Sequence, residues 1–209
     1  MGMHMAWDGH EKVVEIEDFV AAVDDAIGGD AVAVIVTDID DFGAINDEFG
    51  HDVGDVVIEV WRKTVTGSFP PTAVIGRLGG DEFAIALPAT SAESALILME
   101  EIRQHLIDHP IDAIGRGIEI TAGVAARPPH ATETADVVRC ANAALMRGKR
   151  EGRSRVVLYV EEKMVMKSNY YPRADLDRLA RLASATRRTE ASLLREALDD
   201  LLQKHREAL

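Results

Sequence analysis

Apolar positions along this chain follow two alternating rhythms, and their order predicts the order of elements. Residues 16–27 carry the spacing of an amphipathic helix, and 31–37 form an apolar strand. A second helix is expected near 54–63. Two strand-like runs, 74–78 and 83–87, follow, joined by Gly79, Gly80, Asp81 and Glu82; a glycine pair permits the positive φ of a tight hairpin. A long helix over 91–107, with Thr90 or Ser91 as its cap, leads to a strand at 118–126, a helix at 136–147 and a last strand at 155–160. The sum is an α/β (α+β) domain over residues 1–160 with a mostly antiparallel sheet and flanking helices. After a short connector the pattern restarts over 161–209. A strand at 163–171 precedes a turn at Pro172, a helix at 174–186 and a final helix capped by Thr189, with Glu190 favouring its first turn.

With 209 residues, 47% of them hydrophobic, the chain can bury one good core and a small second unit. The longest apolar run, residues 31–36, is too short to span a bilayer, and residues 1–10 lack the layout of a signal peptide. A soluble, cytoplasmic protein with no membrane partner is expected. Cys140 is the only cysteine, which excludes an internal disulfide and a cysteine metal site. The formal charge of −13 is uneven: residues 163–209 hold ten Lys and Arg against seven Asp and Glu, about +3, which leaves about −16 on the front. Two units with different charge are implied.

Asp38, Ile39 and Asp40 stand where the first strand ends, and Asp81 and Glu82 stand on the hairpin tip. Each acid alone reads as a solvated loop end. Were the two strands neighbours, the acids would converge, and hard oxygen donors with room for water suit Mg²⁺ (or Mn²⁺) better than a softer metal.

The tip, Arg77-Leu78-Gly79-Gly80-Asp81-Glu82-Phe83, contains in full the signature of the diguanylate cyclase (GGDEF) family, which the chain resembles over about residues 12–160. Upstream, Asp38, Ile45-Asn46-Asp47, Gly50-His51 and Gly54-Asp55 keep the family's spacing; downstream, Lys149, Gly152 and Arg153 match its basic phosphate clamp. The resemblance implies a nucleotidyl-cyclase-like, ferredoxin-type sheet. It also implies that Asp38, the Ile39 carbonyl and Asp81 hold the metal ion, that Asn46 and Asp55 read guanine, and that Gly79 and Gly80 line the substrate site. His51 falls either beside the substrate or in local turn packing. Lys149 and Arg153, four apart, would both face the phosphates if the helix or its cap continues. The implied reaction is attack of the 3′-hydroxyl of one GTP on the α-phosphate of another, performed twice. Pyrophosphate leaves, Asp81 helps remove the proton and Glu82 supports it. One domain holds one GTP, so ring closure needs a two-fold homodimer.

Three features depart from the family pattern. Its opening motif has no copy in residues 5–18; Gly43 replaces a phosphate-contacting lysine; and Pro70, Pro71, Thr72 and Ala73 fill the place of the product-inhibition motif. No feedback binding is expected at the last of these. The tail resembles the ribbon-helix-helix DNA-binding family through Tyr171-Pro172 with Leu176, and Thr189 with residues 194–198. That resemblance implies a dimerisation module in which Lys167, Ser168 and Tyr170 face bases of double-stranded DNA and Thr189 meets a phosphate. A second reading makes the front a weakly active sensor of GTP or a cyclic dinucleotide within a transcription regulator.

Overall fold

The computed structural model describes residues 15–161, 170–186 and 188–205. They divide into two compact units, with the boundary between residues 162 and 163. In the first unit, helix α1 (Ile16–Ile27) leads into β1 (Val32–Ile39), and α2 (Phe42–Phe49) and α3 (His51–Ser68) follow. The hairpin β2 (Val74–Arg77) and β3 (Glu82–Pro88) comes next, then α4 (Ala92–Asp108), β4 (Ile120–Arg127), α5 (Thr134–Arg150) and β5 (Val156–Leu158). The five strands lie in the order β2-β3-β1-β4-β5; only the β4–β5 pair is parallel.

The apolar run of β1 is explained by its central place, because both faces of the strand are covered. Ala33, Ile35 and Ile39 join the core built with α3 and α4, around Trp61, Val57 and Met99. Val32, Val34 and Val36 join the opposite core with Phe19 and Val23 of α1 and Val137, Val138, Ala141 and Leu145 of α5. This parity decides the site. Asp38 continues the even-numbered series and therefore emerges on the α5 face, as does Glu82, its directly opposed partner on β3.

Two close approaches bring the helices onto the sheet. At Gly123 a Cβ would stand 2.0 Å from the Ala141 carbonyl oxygen, so α5 lies almost on the β4 backbone. On the other face Trp61 meets Phe83 edge-on, with centroids 5.9 Å apart, and Phe83 directly follows the hairpin tip. Burying each of these aromatic rings stabilises the fold by about 3 kcal/mol, and thereby fixes the start of β3.

Between β1 and α3, where the apolar pattern predicts no element, the chain forms a helix. α2 spans eight residues of which only Ile45 is buried, and it starts from Asp41 in the left-handed region at φ 54°. Gly50 separates it from α3, whose first helical residue is His51. The expected cap of α4 is Ser91, whose hydroxyl accepts the Ser94 N–H at 3.2 Å.

In the second unit, α6 (Arg173–Thr186) starts after Pro172 and α7 (Glu190–Lys204) after Thr189. Ala183 is the only buried hydrophobic among its described residues, while Leu176, Leu182, Leu194, Leu198, Leu201 and Leu202 are 38–55% exposed. Most of the expected strand at 163–171, including Lys167 and Ser168, lies outside the described residues; Tyr170 and Tyr171 at its end are not in a strand. No described helix is long and apolar enough to cross a membrane.

Candidate active site

The site forms at the end of β1 where it meets the hairpin tip. Asp38 opposes Glu82 in the ladder, and one step further the Ile39 N–H donates to the Asp81 carbonyl at 3.3 Å. The two acidic segments, separate in sequence, are thus neighbours held by backbone pairing. From the other side the last turn of α5 supplies Lys149, whose ammonium lies 2.6 Å from the Asp38 carboxylate. A bond of that length is a charge-assisted contact.

The crowding appears in the protonation behaviour of the acids. Burial pushes the Asp38 carboxyl above its ordinary range, against the pull of the Lys149 hydrogen bond, and the charge of Asp81 pushes it further up. Glu82 is raised by burial first and then by the charge of Asp38, with a smaller push from Asp81. Like charges are thus crowded at this strand end, with Lys149 as the cation beside them.

Among the described residues no three His, Cys, Asp or Glu side chains are gathered closely enough to hold an ion alone. The donor chemistry fits an ion that arrives with a polyanion. Asp38 and Asp81 are hard oxygen donors, and a divalent cation would relieve the push that the charge of Asp81 exerts on Asp38.

The hairpin tip is braced from within. The Arg77 guanidinium donates to the Gly79 carbonyl at 2.9 Å and to the Gly80 carbonyl at 2.6 Å, and the Leu78 N–H donates to the Glu82 carbonyl at 2.8 Å. The glycine carbonyls are thereby turned toward Arg77. Arg77 is the first residue of the segment that contains the signature in the sequence, which gave it no role of its own; the brace is a finding of the structure.

Through the packing of α2 on α3, Asn46 meets Gly54, the residue that precedes Asp55 in sequence. A Cβ at Gly54 would lie 1.9 Å from Asn46 Oδ1, so the Asn46 amide rests in the space that Gly54 leaves. The Asn46 oxygen is buried and has no hydrogen-bond partner. Asp55 and His51 are exposed on the first turns of α3.

Two expectations need correction. Asp40 does not join the acidic cluster: its carboxylate, on a residue only 7% exposed, accepts from the Thr121 hydroxyl at 2.8 Å and the Ser154 N–H at 2.9 Å. Nor does a helix carry both basic residues. α5 ends at Arg150, and Arg153 lies in a left-handed turn, 3.8 Å from the Asp41 carboxylate. Lys149 and Arg153 still reach the same end of the sheet, by different routes. In the place of the product-inhibition motif, Pro70 to Ala73 form a turn closed by the Ala73 N–H on the Pro70 carbonyl at 2.9 Å.

Residues 17–155 match the family model described as "Diguanylate cyclase, GGDEF domain". The chain belongs to this family. A diguanylate cyclase of Vibrio cholerae is 38% identical to it over 128 residues, 61% of this chain and 40% of the relative. The structure of the active GGEEF domain of a diguanylate cyclase from Vibrio cholerae covers 72% of this chain and 99% of that one, with 34% identity and a TM-score of 0.63. The GGDEF domain of DgcB from Caulobacter crescentus, in complex with c-di-GMP, has 31% identity and a TM-score of 0.59 over 68% of this chain and 84% of its own. The chain thus spans well under half the length of the full-length relative, and the shared part is the GGDEF domain.

In this GGDEF domain the raised pKa of Glu82 makes a prediction about stability. A carboxyl whose pKa is higher folded than unfolded favours the fold fully below its unfolded value of about 4.3, and that contribution is lost as pH rises through the folded value. Glu82→Gln should therefore melt at a higher temperature than the wild type at pH 7, with the gain fading as pH falls toward 4. A thermal melt series showing the variant less stable at pH 7 would contradict the crowding.

Proposed function

We propose that the chain is a diguanylate cyclase that condenses two GTP into cyclic di-GMP and pyrophosphate. The observation that carries this reading is the register of β1 against β3, which sets Asp38 beside the hairpin tip bearing Asp81 and Glu82. Asp38, the Ile39 carbonyl and Asp81 would hold Mg²⁺ or Mn²⁺, which supplies charge neutralisation at the phosphates and a lower pKa for the attacking hydroxyl. Asp81 and Glu82 serve the proton transfer from the 3′-hydroxyl. Lys149 and Arg153 bind phosphate oxygens, and the braced Gly79-Gly80 tip admits the nucleotide closely. Asn46 and Asp55 read the guanine edge: the unpartnered Asn46 oxygen and the Asp55 carboxylate accept from its N–H groups, which adenine does not offer together. His51, exposed on the same helix, flanks the substrate.

A second copy completes the enzyme. One domain presents one nucleotide, and the exposed leucines of α6 and α7 offer apolar faces for partner helices. The tail is read as a ribbon-helix-helix module that pairs the two copies and places them on double-stranded DNA. Lys167, Ser168 and Tyr170 would face bases and Thr189 a phosphate, and the excess of basic residues over 163–209 supports this.

Purified full-length chain with GTP and Mg²⁺ should yield cyclic di-GMP by mass spectrometry, and Asp81→Ala should lower the rate by about 100-fold or more. Undiminished product from Asp81→Ala would place the chemistry elsewhere, and no product from the wild type would favour the sensor reading. In a gel-shift assay duplex DNA should be retained at low salt and released as salt rises. Absence of any shift at low salt would remove DNA from the account and leave a dimerisation module.

A further inference from the structure

Asp40 stands two residues after Asp38 and has the surroundings of a tether. Its carboxylate is buried at the end of β1, where it accepts the Thr121 hydroxyl at 2.8 Å and, from 114 residues away, the Ser154 N–H at 2.9 Å. The segment it reaches is unusual. Gly152, Arg153 and Ser154 have φ of 117°, 60° and 47°, so two residues that are not glycine lie consecutively in the left-handed region. L-residues are disfavoured there, and such a turn persists only when its surroundings hold it.

The other holds fasten different atoms. The Arg153 N–H donates to the Gly148 carbonyl at 3.0 Å, Arg155 Nε donates to the Arg153 carbonyl at 3.0 Å, and Arg103 donates to the Ser154 hydroxyl at 3.3 Å. The Ser154 N–H is taken by Asp40, and this is the bond that ties the turn to the strand end carrying Asp38. The same turn sets the Arg153 side chain beside Asp41, at the rim of the acidic site.

We propose that Asp40 is a positioning residue for nucleotide binding: its bond to the Ser154 N–H holds the left-handed turn that aims Arg153 at the nucleotide phosphates. The inference rests on the reading of Arg153 as a phosphate ligand. It gives the two acids of β1's end separate tasks, Asp38 toward the cation and Asp40 toward the cationic side chain that shares the phosphates. The strain in the turn makes that task testable, because a glycine at 154 adopts the same φ without an external hold.

The full chain would be titrated calorimetrically, with Mg²⁺, against the non-reacting α,β-methylene analogue of GTP, and against guanosine, which lacks phosphates. Asp40→Ala should weaken the analogue about 5- to 30-fold, the population factor of one released left-handed residue, and leave guanosine unchanged. Asp40→Asn keeps an acceptor for the Ser154 N–H and should bind like the wild type. Adding Ser154→Gly to Asp40→Ala should restore most of the lost affinity. Equal losses for the analogue and guanosine, or no restoration by Ser154→Gly, would overturn the proposal and make Asp40 a support of the strand end. Arg153→Ala separates the two readings: if it leaves analogue affinity intact, Arg153 is no phosphate ligand and both fall. Should Asp40→Ala fail to fold, Ser154→Pro removes the same N–H and forbids the turn's φ without touching β1, and it should weaken the analogue alone; unchanged binding would overturn the proposal.

Discussion

The antiparallel register of β1 against β3 is the constraint on which the site depends. It sets Asp38 opposite Glu82 and brings the Ile39 N–H onto the Asp81 carbonyl, so two acidic segments more than forty residues apart in sequence are fixed by backbone bonds. A slip of one residue would send Asp38 to the opposite face, among the apolar side chains of α3 and α4. The apolar runs on both faces of β1 forbid that slip, because Val32, Val34 and Val36 fill one core and Ala33, Ile35 and Ile39 the other. The packing that stabilises the sheet therefore also places the chemistry.

What is gathered there opposes the fold locally. Burial and mutual repulsion raise the carboxyl groups of Asp38 and Glu82, and the nearest relief is Lys149 at 2.6 Å. Arg153 and Ser154 add left-handed backbone at the same end. Costs of this kind concentrate where a ligand is to be received, since a cation and a polyphosphate would satisfy the acids and the basic residues together. Membership of the GGDEF family, established over residues 17–155, gives the arrangement its context, and the geometry says which side chains of this chain meet.

Much of this was legible in the residues. The helix at 16–27 has the bounds of α1, the hairpin lies within a residue or so of its expected place, and the convergence of the two acidic segments follows once their strands are neighbours. The reading failed where local composition misled. The pattern predicts no element at α2 because Gly43, Asn46 and Asp47 are poor helix formers and one buried residue, Ile45, leaves no periodicity to detect. Lys149 and Arg153 are spaced as helical neighbours, yet Gly152 ends that regularity and three residues of positive φ redirect the chain. Asp40 has the same parity as Asp38, but β1 stops at Ile39, so alternation no longer governs where the next carboxylate goes. In the tail, helix bounds and apolar stripes were readable from the 3.6-residue period, whereas the expected strand that holds Lys167 and Ser168 lies outside the described residues.

The central claim is that Asp38 and Asp81 share one divalent cation. Mn²⁺ affinity, measured by electron paramagnetic resonance with the α,β-methylene analogue of GTP bound, tests it most directly in the wild type, Asp38→Ala, Asp81→Ala and the double variant. A shared ion predicts strong coupling, with the double variant little worse than the worse of the two singles. Losses that simply multiply would show two independent sites and contradict the account.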